Sequence, residues 1–417
     1  MLHGDQINEI GKIESMKISE NMDVANIKLQ FFIIAYWHDP RFKRKVGGLI
    51  RMFELADNLK QMGHRVTLIL PKIGYPKKQT VADVIEIPFI DLPIIRPISF
   101  HFLSSMYLLK TLRNNADFIY VRRLNSFLPL LISKLYNIAS FFEIPNDPYL
   151  AYQSSSKVRC FFERTVDKLS MALSDKIVVL SEWSKKRLNH LGGVPLSKIV
   201  VLPSGTDTDL FRPLEKEACC QKVGLDPSFF YIGFVGTFFV HQGIDTLIDA
   251  APVVLEKFSN ARFLLVGDGP MMNAWKSRVN QKGLRDFFVF TCQVPYREVP
   301  EYIGAMDICI APHLKDSNQA SPVKIFDYMA CGRSIVASDI EVVREITAKS
   351  GCALLVAPEL ADELSHEIKS LIKDEKKRKE MGKKGREYAV YNFDRRGIAK
   401  DLIKILSVKK KKSQNIS

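Results

Sequence analysis

The chain has 417 residues, too many for one hydrophobic core, so two domains of about 200 residues each are expected. Its 47% hydrophobic and 25% charged residues are those of an ordinary globular protein. The 60 Lys and Arg against 46 Asp and Glu leave +14, which fits either a solvated surface or an anionic partner. No nucleic-acid-binding motif occurs, and the basic residues are not interleaved with aromatics, so nucleic acid is set aside and a membrane surface is preferred.

The opening stretch MLHGDQINEIGKIESMKISE is polar and lacks an apolar core, so no secretory signal is expected and residues 1–26 read as flexible. Seven scattered cysteines form no C-x-x-C pair, and the adjacent Cys219 and Cys220 are poorly placed for a mutual bridge. Reduced thiols in a cytoplasmic protein follow, with the inner face of the cell membrane within reach.

KLQFFIIAYW is a buried-strand candidate, GGLIRMFELADNLKQMGH a helix, and RVTLILP the next strand. Leu49, Met52, Phe53, Ala56 and Leu59 recur at helical spacing, and Gly63 ends the run. This βαβ unit opens with Gly47 and Gly48. Glycines there serve either a tight turn of positive φ or the approach of backbone N–H groups to a phosphate or sugar. The most apolar segment, Leu124 to Phe142, holds Pro129 and Lys134 and reads as a buried or interfacial helix rather than a membrane span.

DFIYVRR, SFFEIP, KIVVLS and KIVVLP continue the strand–helix alternation. Arg122 and Arg123 end one strand, and Glu143, Asn146 and Asp147 follow another, where they suit either hydroxyl binding or helix capping. SGTDTDLFRPLEKEACCQKVGLDPS (204–228) is polar and turn-rich, an interdomain linker candidate. Its Asp207 and Asp209 look like a metal-binding acidic pair, but a turn or cap role is preferred there. No His/Cys/Asp cluster has metal-ligand spacing, so no metal is expected.

FFYIGFVGT, ARFLLVGDGP, FFVFTC, MDICIAP and RSIVASD are the strands of the second half. Two consecutive doubly wound sheets follow, with ligands outside the carboxyl ends of their strands. Neither G-x-G-x-x-G nor G-x-x-x-x-G-K-[ST] occurs, against dinucleotide oxidoreductases and P-loop NTPases, and no G-x-S-x-G elbow exists.

ASPVKIFDYMACG (320–332) is the sharpest stretch. Ser321 reads as N-cap and Pro322 as the first helical residue. Lys324 then falls where a cation meets the positive end of the helix dipole. A diphosphate at that N-terminus would use the free N–H groups with Lys324, while Asp327, three residues on, could accept from a ribose diol. The plain alternative is a Lys324–Asp327 surface pair.

In their order and spacing these motifs resemble the retaining GT-B glycosyltransferases of glycosyltransferase family 4, over about residues 28–395. The stretches that carry it include VVLSEWSKKRL, KIVVLPSGTDTDLFRP, GFVGTFFVHQGIDTLIDA, FLLVGDGP and SPVKIFDYMACGRSIVASDIEVVREI. The resemblance implies two Rossmann-like domains facing across a cleft. The first (27–205) would bind the acceptor and the second (206–390) a UDP- or GDP-sugar. A helix near 391–408 would cross back, with 409–417 flexible. It implies metal-independent transfer with no cofactor, to a glycan or lipid-linked acceptor of cell-surface polysaccharide synthesis.

The family's Glu-x7-Glu pair falls on Gln319 and Asp327, its diphosphate-binding Arg and Lys on Thr237 and Gln242, and its usual Asn-Gly on Ser204-Gly205. With both cations absent, Lys324 is the substitute, and it is placed with Gln319 in the catalytic role. The donor would be held by Gly47, Gly48, Gly236, Thr237, Val294 and the run Gln319, Ala320, Ser321, Pro322, Val323 and Lys324, with Asp327. Arg122, Glu143 and Asn146 would meet the acceptor. The missing cations leave two alternatives, a non-catalytic nucleotide-sugar-binding subunit and a GT-B nucleotide-sugar epimerase.

Overall fold

The computed structural model describes residues 28–36, 47–73, 80–92, 95–111, 116–124, 126–147, 149, 157–317 and 321–414. The fold is α/β, built on two parallel sheets. The first contains β1 (Gln30–Ile34), β2 (Arg65–Pro71), β3 (Asp83–Ile87), β4 (Phe118–Arg122), β5 (Ala139–Ile144), β6 (Lys176–Val179) and β7 (Ile199–Val201), in the order β3-β2-β1-β4-β5-β6-β7. The second contains β8 (Phe230–Val235), β9 (Ala261–Val266), β10 (Phe288–Phe290), β11 (Ile308–Ala311), β12 (Ser334–Ser338) and β13 (Ala353–Val356), in the order β10-β9-β8-β11-β12-β13.

Helices on both faces explain why the central strands are apolar throughout rather than alternating. Phe31 to Ile34 of β1 are all buried, with Phe31 registered against Val66 and Phe118. Strand order reverses between β1 and β4 and again between β8 and β11, so each sheet opens a crevice at the carboxyl ends of that pair.

Four sequence expectations change. Leu124 to Phe142 is not one helix: the helix is Leu128–Leu135, Asn137 turns with φ 52°, and β5 follows. The 204–228 stretch is not all linker. Lys216–Val223 is a helix capped by Glu215, which accepts from the Glu217 and Ala218 N–H groups at 3.0 and 2.7 Å, and it buries Cys219 and Cys220. β3 and β13 were not foreseen, because both are partly exposed edge strands. The last helix is Arg395–Gln414, so it continues through the lysine run placed in the tail, whose residues are good helix formers.

That last helix crosses back onto the first domain. Ile398, Ala399, Leu402 and Leu406 join Leu49, Met52, Phe53 and Ala56 in one buried cluster. All seven cysteines are free thiols. Among the described residues no helix is long and apolar enough to cross a membrane, and no cluster of His, Cys, Asp and Glu could hold a metal ion.

Candidate functional site

The crevice of the second sheet is formed by the turns after β8 and β11. Gly243 binds the two turns closely: a Cβ there would lie 1.8 Å from the Pro312 carbonyl oxygen. Helix Val323–Ala330 enters the same place, starting one residue later than expected. Pro322 holds the cap position without a side-chain cap, and Ser321 is not the N-cap. Ser321 instead buries a hydroxyl with no hydrogen-bond partner among the described residues, as does Ser317.

Lys324, in the first turn of this helix, reaches into the crevice. Its ammonium donates to Gln242 Oε1, lies 3.4 Å from His313 Nε2, and sits 4.7 Å above the Phe234 ring. The Gln242 amide also meets His241 Nε2 at 3.0 Å. Gly236 (φ +155°) makes the room, since a Cβ there would be 3.2 Å from Lys324 Cε. No carboxylate pairs with Lys324 among the described residues; in particular it forms no ion pair with Asp327, so the surface-pair alternative fails. Burial therefore lowers its pKa to about 7, with Asp327 pulling weakly the other way.

Asp327 is buried one turn further in. It accepts from Thr206 Oγ1 at 2.6 Å, and burial raises it to about 6 against the pull of Arg395 and the Thr206 hydroxyl. Arg395 ties this corner together, donating to Tyr296 Oη at 2.8 Å and pairing with Glu54 of the first domain. The main chain seals it: Thr206 N donates to Phe393 O at 2.9 Å, and Arg395 N to Thr206 O at 3.1 Å. A second interdomain contact has Glu345 accepting from the Glu182 and Trp183 N–H groups at 2.7 and 2.9 Å.

Thr237 is half-buried in the β8 turn, and Val294 packs its side chain against the second core. Pro322 is buried and Val323 half-buried at the helix start. Gly47 and Gly48 begin the Gly47–Gln61 helix after the carboxyl end of β1. Gln319 and Ala320 lie outside the described residues. Asp207 takes the turn role: its Oδ1 accepts from the Asp209 and Leu210 N–H groups, both at 3.0 Å.

Two of the acceptor-site candidates are engaged inside the first domain. Glu143 is fully buried and held by Arg51 at 3.1 Å, Arg122 at 3.1 Å and the Tyr120 hydroxyl at 2.5 Å. Arg51 also donates to the Pro203 and Leu202 carbonyls at 2.7 and 3.1 Å. Burial alone would raise the Glu143 carboxyl, but Arg51, Arg122 and the Tyr120 hydroxyl outweigh it and keep it ionised. Glu143 and Arg122 are thus partners of each other. Arg123 is likewise bidentate to Asp167, with contacts of 2.7 and 3.0 Å. Asn146 alone of the three stays exposed, and Asp147 is taken by Arg187 and the Tyr149 N–H.

Sequence reasoning missed His313, two residues past β11, although a polar residue beyond an apolar strand end was a readable signal. Arg395, Glu54, Tyr296 and Thr206 gave none, because each joins the corner only through tertiary contact.

This geometry agrees with comparison to known proteins. The model of Glycosyltransferase Family 4 matches residues 47–210 and that of Glycosyl transferases group 1 matches residues 215–388. The chain belongs to glycosyltransferase family 4. Over 212 residues it is 27% identical to the 2-deoxystreptamine glucosyltransferase of Streptomyces kanamyceticus, covering 50% of this chain and 54% of that enzyme, so about half of that relative's length is matched. An uncharacterized glycosyltransferase of Methanocaldococcus jannaschii is 22% identical over 398 residues, covering 91% and 98%. Sucrose-phosphate synthase of Thermosynechococcus elongatus superposes with TM-score 0.74 at 18% identity, covering 94% and 100%. Anabaena HepE in complex with UDP and glucose gives 0.73 at 18%, covering 91% and 100%. The two sheets are therefore those of a GT-B glycosyltransferase, and the Lys324 crevice lies in its second domain.

Proposed function

We propose that this glycosyltransferase moves a sugar, with retention and without a metal, from a UDP- or GDP-linked donor to a glycan or lipid-linked acceptor of a cell-surface polysaccharide, at the cytoplasmic face of a membrane. The observation that carries the donor reading is the half-buried Lys324 ammonium, set at the strand-order reversal of the second sheet with no carboxylate beside it among the described residues. A partly desolvated cation without a counter-ion is costly, and a diphosphate would supply the missing charge. The support from relatives is that HepE was solved with UDP and with UDP-glucose.

In this reading the departing diphosphate rests on Lys324, the first-turn N–H groups of Val323–Ala330, and the Gly236–Thr237 turn, with Gly47 and Gly48 closing from the other domain. Asp327 accepts from the ribose, the backbone near Val294 holds the base, and Gln319 meets the sugar. Asn146 remains on the acceptor side. The leaving diphosphate takes the acceptor proton on the face it departs from, so the protein supplies position and charge rather than a base.

The test is titration of the chain with UDP, GDP and their sugars, beside transfer and donor hydrolysis. Lys324→Ala should stay folded and lose about tenfold to a hundredfold in nucleotide affinity and turnover. Unchanged binding would overturn the role of Lys324. Tight binding with neither transfer nor hydrolysis across the panel would favour a nucleotide-sugar-binding subunit, the reading kept open by the neutral Thr237 and Gln242.

A further inference from the structure

On the face of the first sheet opposite the Gly47–Gln61 helix, helices Ile95–Thr111, Leu128–Leu135 and Lys157–Leu173 lie side by side. Their outer surface is unusually apolar. Ile95, Ile98, Phe102, Met106 and Leu109 form one exposed stripe at helical spacing on the first. Leu135 is 72% exposed at the end of the second. On the third, Val158, Phe161 and Phe162 are 82%, 75% and 53% exposed. Isolated exposed apolar residues need no explanation, but a run across three neighbouring helices marks an interaction surface.

The exposed charges on the three helices themselves are basic. Both acids of the Lys157–Leu173 helix point inward: Glu163 is buried against Arg159, and Asp167 against Arg123. All four of its bases, Lys157, Arg159, Arg164 and Lys168, are exposed. The Ile95–Thr111 helix has no acidic residue; its Arg96 is paired with Asp91, which precedes the helix, and its Lys110 is exposed. Exposed phenylalanines on a helix whose exposed charges are all Lys and Arg form the pattern of a surface that enters an anionic lipid interface. A second copy of the chain fits poorly, because pairing these faces would set like charges together.

We infer that this three-helix face docks on an anionic lipid bilayer. Helix Lys157–Leu173 follows the carboxyl end of β5, and Ile95–Thr111 follows that of β3, so their first turns lie on the cleft side of the sheet. Docking there sets the cleft beside the lipid surface, where a lipid-linked acceptor is held. The inference deepens the membrane-acceptor reading and rests on it, but vesicle binding is measured without donor or acceptor, so either idea can fail alone.

The test is co-sedimentation of the full chain with phosphatidylcholine vesicles, with and without phosphatidylglycerol. The wild type should partition at least about tenfold better to the anionic vesicles, and less at high salt. Phe161→Ser/Phe162→Ser should lose about tenfold of that binding, and Lys157→Glu/Arg164→Glu/Lys168→Glu should lose the anionic preference, both with unchanged melting and UDP affinity. Absence of anionic binding overturns the inference. So does binding unchanged in both variants but lost when Lys409 to Lys412 become Gln, which would place it in the C-terminal helix. A wild-type dimer that the phenylalanine variant converts to monomer, without vesicle binding, assigns the face to a second copy and overturns it as well.

Discussion

The two sheets reverse strand order in the same way, yet the charges near the two reversals are held differently. One strand from the β1–β4 reversal, at the β4–β5 end of the first sheet, one buried carboxylate, Glu143, is shared by two guanidinium groups and accepts from a hydroxyl. At the β8–β11 reversal of the second, one ammonium, Lys324, meets an amide, an imidazole and a ring face. The Glu143 carboxylate is shared by two guanidinium groups, which ties the Gly47–Gln61 helix to β4 and β5 and leaves one positive charge in excess. The Lys324 ammonium has no carboxylate beside it among the described residues and holds back part of its interaction energy until an anion arrives. A carboxylate among the partners, rather than position in the topology, separates the two clusters here.

The sharpest way to break this comparison is to remove one charge from each cluster. Glu143→Ala would strand Arg51 and Arg122 in the interior, and breaking such a buried pair from one side costs about 3–5 kcal/mol. Urea denaturation should show that loss. Lys324→Met removes a charge with no counter-ion, so without ligand its unfolding midpoint should stay level or rise. Equal destabilisation by both substitutions would erase the distinction between the two clusters.

A smaller effect tests whether the cation has moved between positions. Gln242 accepts from Lys324, so the two side chains reach the same point from different elements. Gln242→Lys alone sets two ammonium groups together and should weaken UDP binding. Gln242→Lys with Lys324→Met restores a single cation and should return affinity to within about tenfold of the wild type. A double variant no better than Lys324→Met would mean that the charge must arrive from the helix N-terminus.

The sequence made the second domain more legible than the first, for physical reasons. Apolar strands buried on both faces announce themselves, so eleven of the thirteen described strands were readable, while the partly exposed edge strands β3 and β13 were not. Lys324 stood out because its charge conflicts with its helix position, and that local conflict survived folding. Glu143 and Arg122 misled because a strand-end polar residue looks alike whether it faces a ligand or a neighbouring strand. Arg51, which decides the matter, lies 92 residues from Glu143 in the chain. The Glu54–Arg395–Tyr296 corner joins three distant segments and left no local trace.

The smallest effect is a proton. Lys324 has a folded pKa of about 7 against an ordinary 10.5, so between those values the unfolded chain binds more protons than the folded one. Lys324 therefore contributes a stability that rises with pH across that window, read as the difference between the wild type and Lys324→Met, since thiols that burial pushes up, such as Cys309 and Cys352, pull the other way in both proteins. A bound diphosphate reverses the balance, because it favours the ammonium and pulls its pKa back up. At pH 8 most of the free protein holds a neutral amine, so UDP binding should take up between about half a proton and one through this group. Titration calorimetry in buffers of different ionisation enthalpy reads that number directly, and Lys324→Met should remove it while leaving any uptake by UDP itself. Glu143 supplies the control: its carboxylate is already ionised and paired, so no ligand should move a proton there, and uptake equal to the wild type's in Lys324→Met would shift the anion site away from the β8–β11 crevice.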